Sequence, residues 1–230
     1  MLRAVLWDMD GTLVDSEKLW DVAMEALYDH LGGVLTPEVR SATVGGSAAN
    51  NMRIVYDDLG LEPEPAAMAV SADWLNDYTG GLFDAGLPWC DGALELLDAL
   101  AAAAIPMALV TNTPRGLAER ALNTIGRHYF SVSVCGDEVA HGKPAPDPYL
   151  RAAGLLGYAP ADCLAVEDSV TGAASADAAG CPVLVVPNAV PVPGGPRRRQ
   201  VDSLVGLSVA DLHTVHASLR ERACLSADTP

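Results

Sequence analysis

Five short apolar runs, at residues 3 to 7 (RAVLW), 106 to 110 (PMALV), 131 to 134 (SVSV), 163 to 166 (CLAV) and 183 to 186 (VLVV), alternate with longer stretches of helical spacing. That alternation predicts an α/β fold, a parallel sheet with crossover helices. Residues 202 to 207 are the candidate for one further short edge strand. Each main run ends in polar or small residues, as at the carboxyl edge of an open sheet, where such folds bind ligands.

Between the first run and the second lies an insertion far longer than one crossover needs. Residues 16 to 31 predict a helix with Ser16 as N-cap and apolar Leu19, Ala23, Ala26, Leu27 and Leu31 at helical spacing. "LGGVLTPEVR", "GGSAANNMRIVYDDLG" and "EPAAMAVSADWLNDYTGGL" predict three more helices, with no strand among them. A small helical domain, residues 16–82, is therefore expected within a sheet domain made of residues 1–15 and 83–230. The helical pattern at 92 to 103 returns the chain to the sheet.

Charge narrows the class of partner. With 30 acidic against 14 basic residues, the net charge of −16 argues against a nucleic acid or an anionic membrane. The basic run Arg197 to Arg199 reads as a solvated loop. Five scattered cysteines without a C-x-x-C pair read as reduced thiols. No stretch of eighteen residues stays apolar, and Met1 leads directly into a strand-like run, so a cytoplasmic protein is expected, a monomer or weak homodimer.

The candidate chemistry lies at the ends of the runs. Asp8 and Asp10 follow the first, with Gly11 allowing a sharp bend. Two carboxylates so close repel, so they need a cation, a shared proton or divergent orientations. Taken alone, "DMDGT" reads equally well as a solvated turn. Thr111-Asn112-Thr113 follow the second run, "GDEVAHGKPAPDPYL" with Lys143 the third, and Glu167-Asp168 the fourth. Together, hydroxyl, ammonium and carboxylates at one sheet edge suit a phosphate ester and a hard cation. His213 and His216 read as a surface pair on a C-terminal helix.

In order and spacing, "DMDGT", Thr111-Asn112, Lys143 in "GKPAPDPY" and "EDSVTG" resemble the four motifs of the haloacid dehalogenase superfamily, across residues 4 to about 187. The inserted helices resemble the cap of the subfamily containing phosphoglycolate phosphatases, β-phosphoglucomutases and hexitol phosphate phosphatases. The resemblance implies a Rossmann-like doubly wound parallel sheet core with an inserted α-helical cap. It implies a Mg²⁺-dependent phosphomonoesterase acting on a small phosphorylated metabolite, a sugar or polyol phosphate, through an aspartyl phosphate.

The resemblance also implies roles. Asp8 is nucleophile and metal ligand. Asp10 is general acid and base, and its main-chain carbonyl a metal ligand. Asp168 is a further ligand, with Glu167 beside it. Thr111, Asn112 and Lys143 bind phosphate. Glu17 and Trp20 on the first cap helix face the substrate, although Trp20 reads equally well as cap core. Asn50, Asn51 and Trp74 are weaker candidates of the same kind, "VGGS" at 44 to 47 is a loop or a helix-helix turn, and Asp15 is read as a hinge residue. A phosphosugar mutase is the alternative. The resembling mutases carry a histidine and an arginine where this chain has Trp20 and Ala48, which favours hydrolysis, although Arg53 is a substitute cation. A catalytically idle binding protein on the same scaffold is the alternative of another class.

Overall fold

The computed structural model describes residues 1–44, 46–187 and 190–227, with side chains as far as residue 223. Gly45 in the "VGGS" loop and the side chain of Cys224 lie outside the described residues. Six parallel strands, β1 (Ala4–Trp7), β2 (Met107–Val110), β3 (Val132–Val134), β4 (Cys163–Glu167), β5 (Val183–Val185) and β6 (Arg198–Gln200), lie in the order β3-β2-β1-β4-β5-β6. The order reverses at β1, which places the ligand crevice of a doubly wound sheet beyond that strand's carboxyl end. Trp7 is in register with Leu109 of β2 and Val166 of β4. The residues that follow these three therefore emerge at one edge.

The strands read as unbroken apolar runs because both faces of the sheet are covered. Val5, Trp7, Met107, Leu109, Leu164 and Val166 pack beneath α5 (Ala93–Ala102), α6 (Arg115–Ile125) and α9 (Val209–Ala227). The alternate residues Ala4, Leu6, Ala108, Val110, Ala165 and Val183 face α7 (Asp147–Leu156) and α8 (Val170–Ala178). Each larger aliphatic side chain so buried contributes about 1.5–3 kcal/mol of gross stabilisation.

Two expectations about the last strand are corrected. Residues 202–207 form turns, and the sixth strand is Arg198–Gln200, which overlaps the basic run Arg197 to Arg199 read as a solvated loop. Val183 of β5 needs a partner on its outer side and takes Arg198 in parallel register. Charged residues suit an edge strand because they discourage pairing with another chain. Asp177 of α8 holds Arg198 at 3.1 Å and Arg197 at 3.6 Å.

The insertion forms α1 (Glu17–Leu31), α2 (Pro37–Thr43), α3 (Ala48–Asp58) and α4 (Pro65–Ala85). These helices have an apolar cluster of their own around Met24, Leu27, Tyr28, Met52, Val55 and Leu75. α4 continues past residue 82, and its Phe83 enters the sheet cluster. The outgoing and returning connections run side by side: Val14 bridges Trp89, and the Asp15 N–H donates to the Pro88 carbonyl at 2.8 Å. Asp15 thus meets the returning connection through its backbone, while its carboxylate pairs with Lys18 at 3.5 Å.

Ser16 precedes α1 as expected but caps nothing with its side chain, which donates to Asp10 instead. His216 is fully buried and not on a surface face, because α9 turns it onto the Ala161 carbonyl. Cys90, Cys135, Cys163 and Cys181 are free thiols. Among the described residues no helix is long and apolar enough to cross a membrane.

Candidate active site

Asp8 directly follows β1, where its N–H still donates to the Val166 carbonyl at 3.0 Å. The chain then turns at Gly11, whose φ of 82° favours glycine. Lys143 reaches this point from the loop after β3. Its Nζ donates to Asp8 Oδ1 and to Glu167 Oε1, each at 2.6 Å, and all three groups are buried. Glu167 ends β4 fully enclosed. Its Oε1 also accepts the Tyr149 hydroxyl at 2.6 Å, and Oε2 accepts Ser169 Oγ at 3.3 Å. Gly172 makes the room, since a Cβ there would lie 2.0 Å from the Glu167 carboxylate oxygens. Ser169, and neither Glu167 nor Asp168, caps α8 by accepting the Gly172 N–H at 3.0 Å.

Asp8, Glu167 and Asp168 each offer a carboxylate oxygen within 4.8 Å of the others. Burial pushes the Asp8 carboxyl up to about 7, against the pull of Lys143 and with the push of Glu167 and Asp10. Burial, with Asp8 and Glu167, also holds Asp168 well above the usual carboxylate range. Burial works against the Lys143 charge, but Asp8 and Glu167 outweigh it and raise its pKa. One ammonium among three buried carboxylates leaves negative charge for a cation to balance.

The Asp10 carboxylate is not part of that cluster. Ser16 Oγ at 2.7 Å and Trp20 Nε1 at 3.1 Å donate to Oδ1, and Thr113 Oγ1 at 2.7 Å and Thr111 Oγ1 at 3.3 Å donate to Oδ2. Thr111 accepts the Thr113 N–H as well, at 3.0 Å. Asn112 spends its side-chain amide on the Lys143 backbone: Oδ1 accepts the Lys143 N–H at 2.8 Å and Nδ2 donates to its carbonyl at 3.2 Å. Its side chain thereby clamps the lysine loop.

A crevice of about 930 Å³, counted out to open solvent, joins these groups to the helical insertion and is lined there by Glu17, Trp20, Arg40, Asn51, Met52 and Asn76. Trp20 lines the crevice, and its ring also meets Phe83 edge-on at 6.3 Å. Asn51 lines the wall, but Asn50 is exposed and does not, being turned about 100° away on the same helix. Trp74 does not line it either; it stacks between His30 and Tyr78, at centroid distances of 4.5 and 5.3 Å. Arg53 is exposed and outside the crevice.

Sequence reasoning missed Thr113, Tyr149, Ser16 and Arg40. Thr113 follows the motif pair Thr111-Asn112 and Tyr149 ends "GKPAPDPY", so their signal was present. Arg40 had none: its Nη2 meets Glu17 Oε2 at 3.2 Å and its Nε meets Asp21 Oδ1 at 2.6 Å only because α2 packs beside α1.

Phosphoglycolate phosphatase from Thiobacillus denitrificans is 32% identical over 228 residues, covering 97% of this chain and 95% of the relative. Hexitol phosphatase A from Escherichia coli is 33% identical over 188 residues, 80% of this chain and 82% of the relative. A crystal structure of CbbY from Rhodobacter sphaeroides with xylulose-1,5-bisphosphate superimposes with a TM-score of 0.79 at 27% identity, covering 92% of this chain and 99% of that one. The hydrolase family described as haloacid dehalogenase-like hydrolase matches residues 2–180, and this chain is an enzyme that belongs to it.

Proposed function

We propose that this enzyme is a Mg²⁺-dependent phosphomonoesterase for a small sugar or polyol phosphate, acting through an aspartyl phosphate on Asp8. The observation that carries it is the buried cluster of Asp8, Glu167 and Asp168 neutralised only in part by Lys143. Its oxygen-only donor set and surplus negative charge fit a hard divalent cation, held by Asp8, Asp168 and the main-chain carbonyl of Asp10, with Glu167 beside them. When bound, Mg²⁺ supplies positive charge to the phosphoryl oxygens and the attacking carboxylate.

The chain's own groups do the rest. An Asp8 oxygen attacks phosphorus as the bond to the leaving oxygen breaks, and Asp10 gives that oxygen its proton. Water then attacks phosphorus while Asp10 takes its proton, releasing phosphate and the free Asp8 carboxylate. Lys143 orients Asp8 through Oδ1 and offsets charge on the phosphoryl group, with the Asn112 N–H as a further donor and the Thr111 hydroxyl, which here donates to Asp10 Oδ2, turning to the phosphoryl oxygens when they bind. Residues 16–82 act as a cap on the sheet domain of residues 1–15 and 83–230, closing about the paired connections at Val14 and Trp89 to exclude water. Four free thiols support a reducing, cytoplasmic setting.

The mutase alternative loses Arg53 as its substitute cation, since that side chain is exposed outside the crevice. Measuring phosphate released from hexose phosphates, hexitol phosphates, phosphoglycolate and nucleotides, with and without Mg²⁺, tests the proposal. Mg²⁺-dependent hydrolysis fastest on a sugar or polyol phosphate supports it. Isomerised product without free phosphate, or no turnover of any ester, rejects it.

A further inference from the structure

The matched relatives carry names with leaving groups of different charge, a carboxylate in one and a neutral polyol in another, so the helical wall of this crevice must decide between them. Arg40 is the cation that α2 brings to that wall. Its Nη2 donates to Glu17 Oε2 at 3.2 Å and to the Glu17 carbonyl at 3.5 Å, and its Nε donates to Asp21 Oδ1 at 2.6 Å. The Arg40 and Glu17 side chains are only 15% and 21% exposed, so the pair is largely withdrawn from water. On the wall itself the two charges balance, while Asp10 and the half-exposed Asp21, which does not line the crevice, add a negative field at Glu17.

An anionic leaving group has two ways to bind here, and both are unfavourable. It can lie beside the intact pair and meet the Glu17 carboxylate within the negative field of Asp10 and Asp21. Alternatively it can take Arg40 for itself, which leaves Glu17 half-buried and uncompensated near Asp10. A hydroxyl meets neither penalty, because it donates to a carboxylate. Asn51 gives its Nδ2 to the Thr43 carbonyl at 3.0 Å, and its Oδ1 has no donor among the described residues. Only the absence of a side chain at Gly46 admits that oxygen, since a Cβ there would lie 2.2 Å from it. That oxygen is closed off from solvent against Gly46, so it offers a bound leaving group no contact in this conformation.

We propose that the Glu17–Arg40 pair is a charge filter that selects phosphate monoesters whose leaving group ends in hydroxyls and rejects those ending in carboxylate or a second phosphate. This rests on the phosphatase reading of the same crevice but adds the discriminating residues and the sign of the discrimination. Arg40 is on this view a lock on Glu17 and not an anion clamp.

The test uses pairs of equal size that differ in one end group: sorbitol 6-phosphate against 6-phosphogluconate, and hydroxyethyl phosphate against phosphoglycolate. Affinity for each is measured calorimetrically with Mg²⁺ in an Asp8→Asn background, and kcat/KM in the wild-type background. The wild-type wall should favour the neutral member by roughly tenfold or more. Glu17→Gln should narrow that ratio by roughly tenfold, and Arg40→Gln should widen it. A purely structural role would move both members of a pair together and leave the ratio unchanged. A wild-type preference for the acidic member, an unchanged ratio in Glu17→Gln, shifts of the same sign in the two variants, or no measurable binding of either member would each overturn the filter. Wild-type turnover of p-nitrophenyl phosphate is read separately. Its absence would sink the phosphatase reading while the binding ratios still judged the filter.

Discussion

The indole N–H of Trp20 donates to Oδ1 of Asp10 at 3.1 Å, so the first helix of the insertion is bonded to the residue assigned as acid and base. With Ser16, Thr111 and Thr113, four donors fix that carboxylate. Trp20→Phe keeps the edge-on contact with Phe83 and removes one donor. We expect kcat on an aryl phosphate to fall roughly tenfold with KM nearly unchanged, since misplacing a reacting group by about 1 Å costs up to about 100-fold. Steady-state kinetics beside a circular dichroism melt checks this, and an unaltered kcat would show that Trp20 only packs.

Lys143 and Tyr149 both donate to Glu167 Oε1, yet their removal should differ in kind. Lys143→Met leaves Asp8 and Glu167 buried with no ammonium between them. It should cost about 3–5 kcal/mol of stability and abolish turnover. Tyr149→Phe leaves Lys143 in place on the same oxygen. It should cost about 1–2 kcal/mol and keep most of the activity. Urea denaturation with parallel assays separates the two, and equal effects would contradict the division of roles.

Chelation should silence the enzyme and added Mg²⁺ restore it. The same ion should stabilise the fold, because it relieves repulsion within the carboxylate cluster; at a hundred times its Kd the gain is about 2.7 kcal/mol. For a chain of this size that is a rise in Tm of about 2–4 °C per kcal/mol. Asp8→Asn should shrink the Mg²⁺-induced rise and lower turnover by at least about 10³-fold. Turnover indifferent to EDTA would reject the metal site.

The parts of this architecture that follow from local periodicity and strand ends were legible in the sequence. β1, β2 and β4 end at Trp7, Val110 and Glu167, so parallel pairing alone brings Asp8, Thr111 and the Glu167-Asp168 pair to one edge. What depends on how helices pack was not legible. The Arg40 contact with Glu17 needs the angle between α2 and α1, and no spacing in the chain encodes it. The edge strand at Arg198 was hidden because its polar residues carry no apolar alternation; pairing with β5 decides it instead. Ser16 has the composition and position of an N-cap, but its backbone is already helical (φ −86°, ψ −10°) and not extended as in a capping residue, and its hydroxyl is turned to the Asp10 carboxylate.

His216 gives a prediction away from the crevice. It is fully buried on α9, with Nε2 3.0 Å from the Ala161 carbonyl and Nδ1 without a partner among the described residues. The neutral ring satisfies that carbonyl through Nε2–H. Protonation adds an Nδ1–H with no acceptor. Burial accordingly lowers its pKa from 6.5, assisted by Arg220 and the amino terminus and opposed by Ala161 and Asp162. Because the folded value lies below the unfolded one, the unfolded chain binds the proton first as pH falls. The contribution of the neutral ring is intact above about pH 6.5 and is lost below it, by up to about 1.4 kcal/mol per pH unit until the folded group also titrates. His216→Gln, which cannot charge, should flatten this part of the acid limb. Melting curves from pH 7.5 to 5.0 check it, and parallel acid limbs in wild type and variant would show that His216 is not the group responsible.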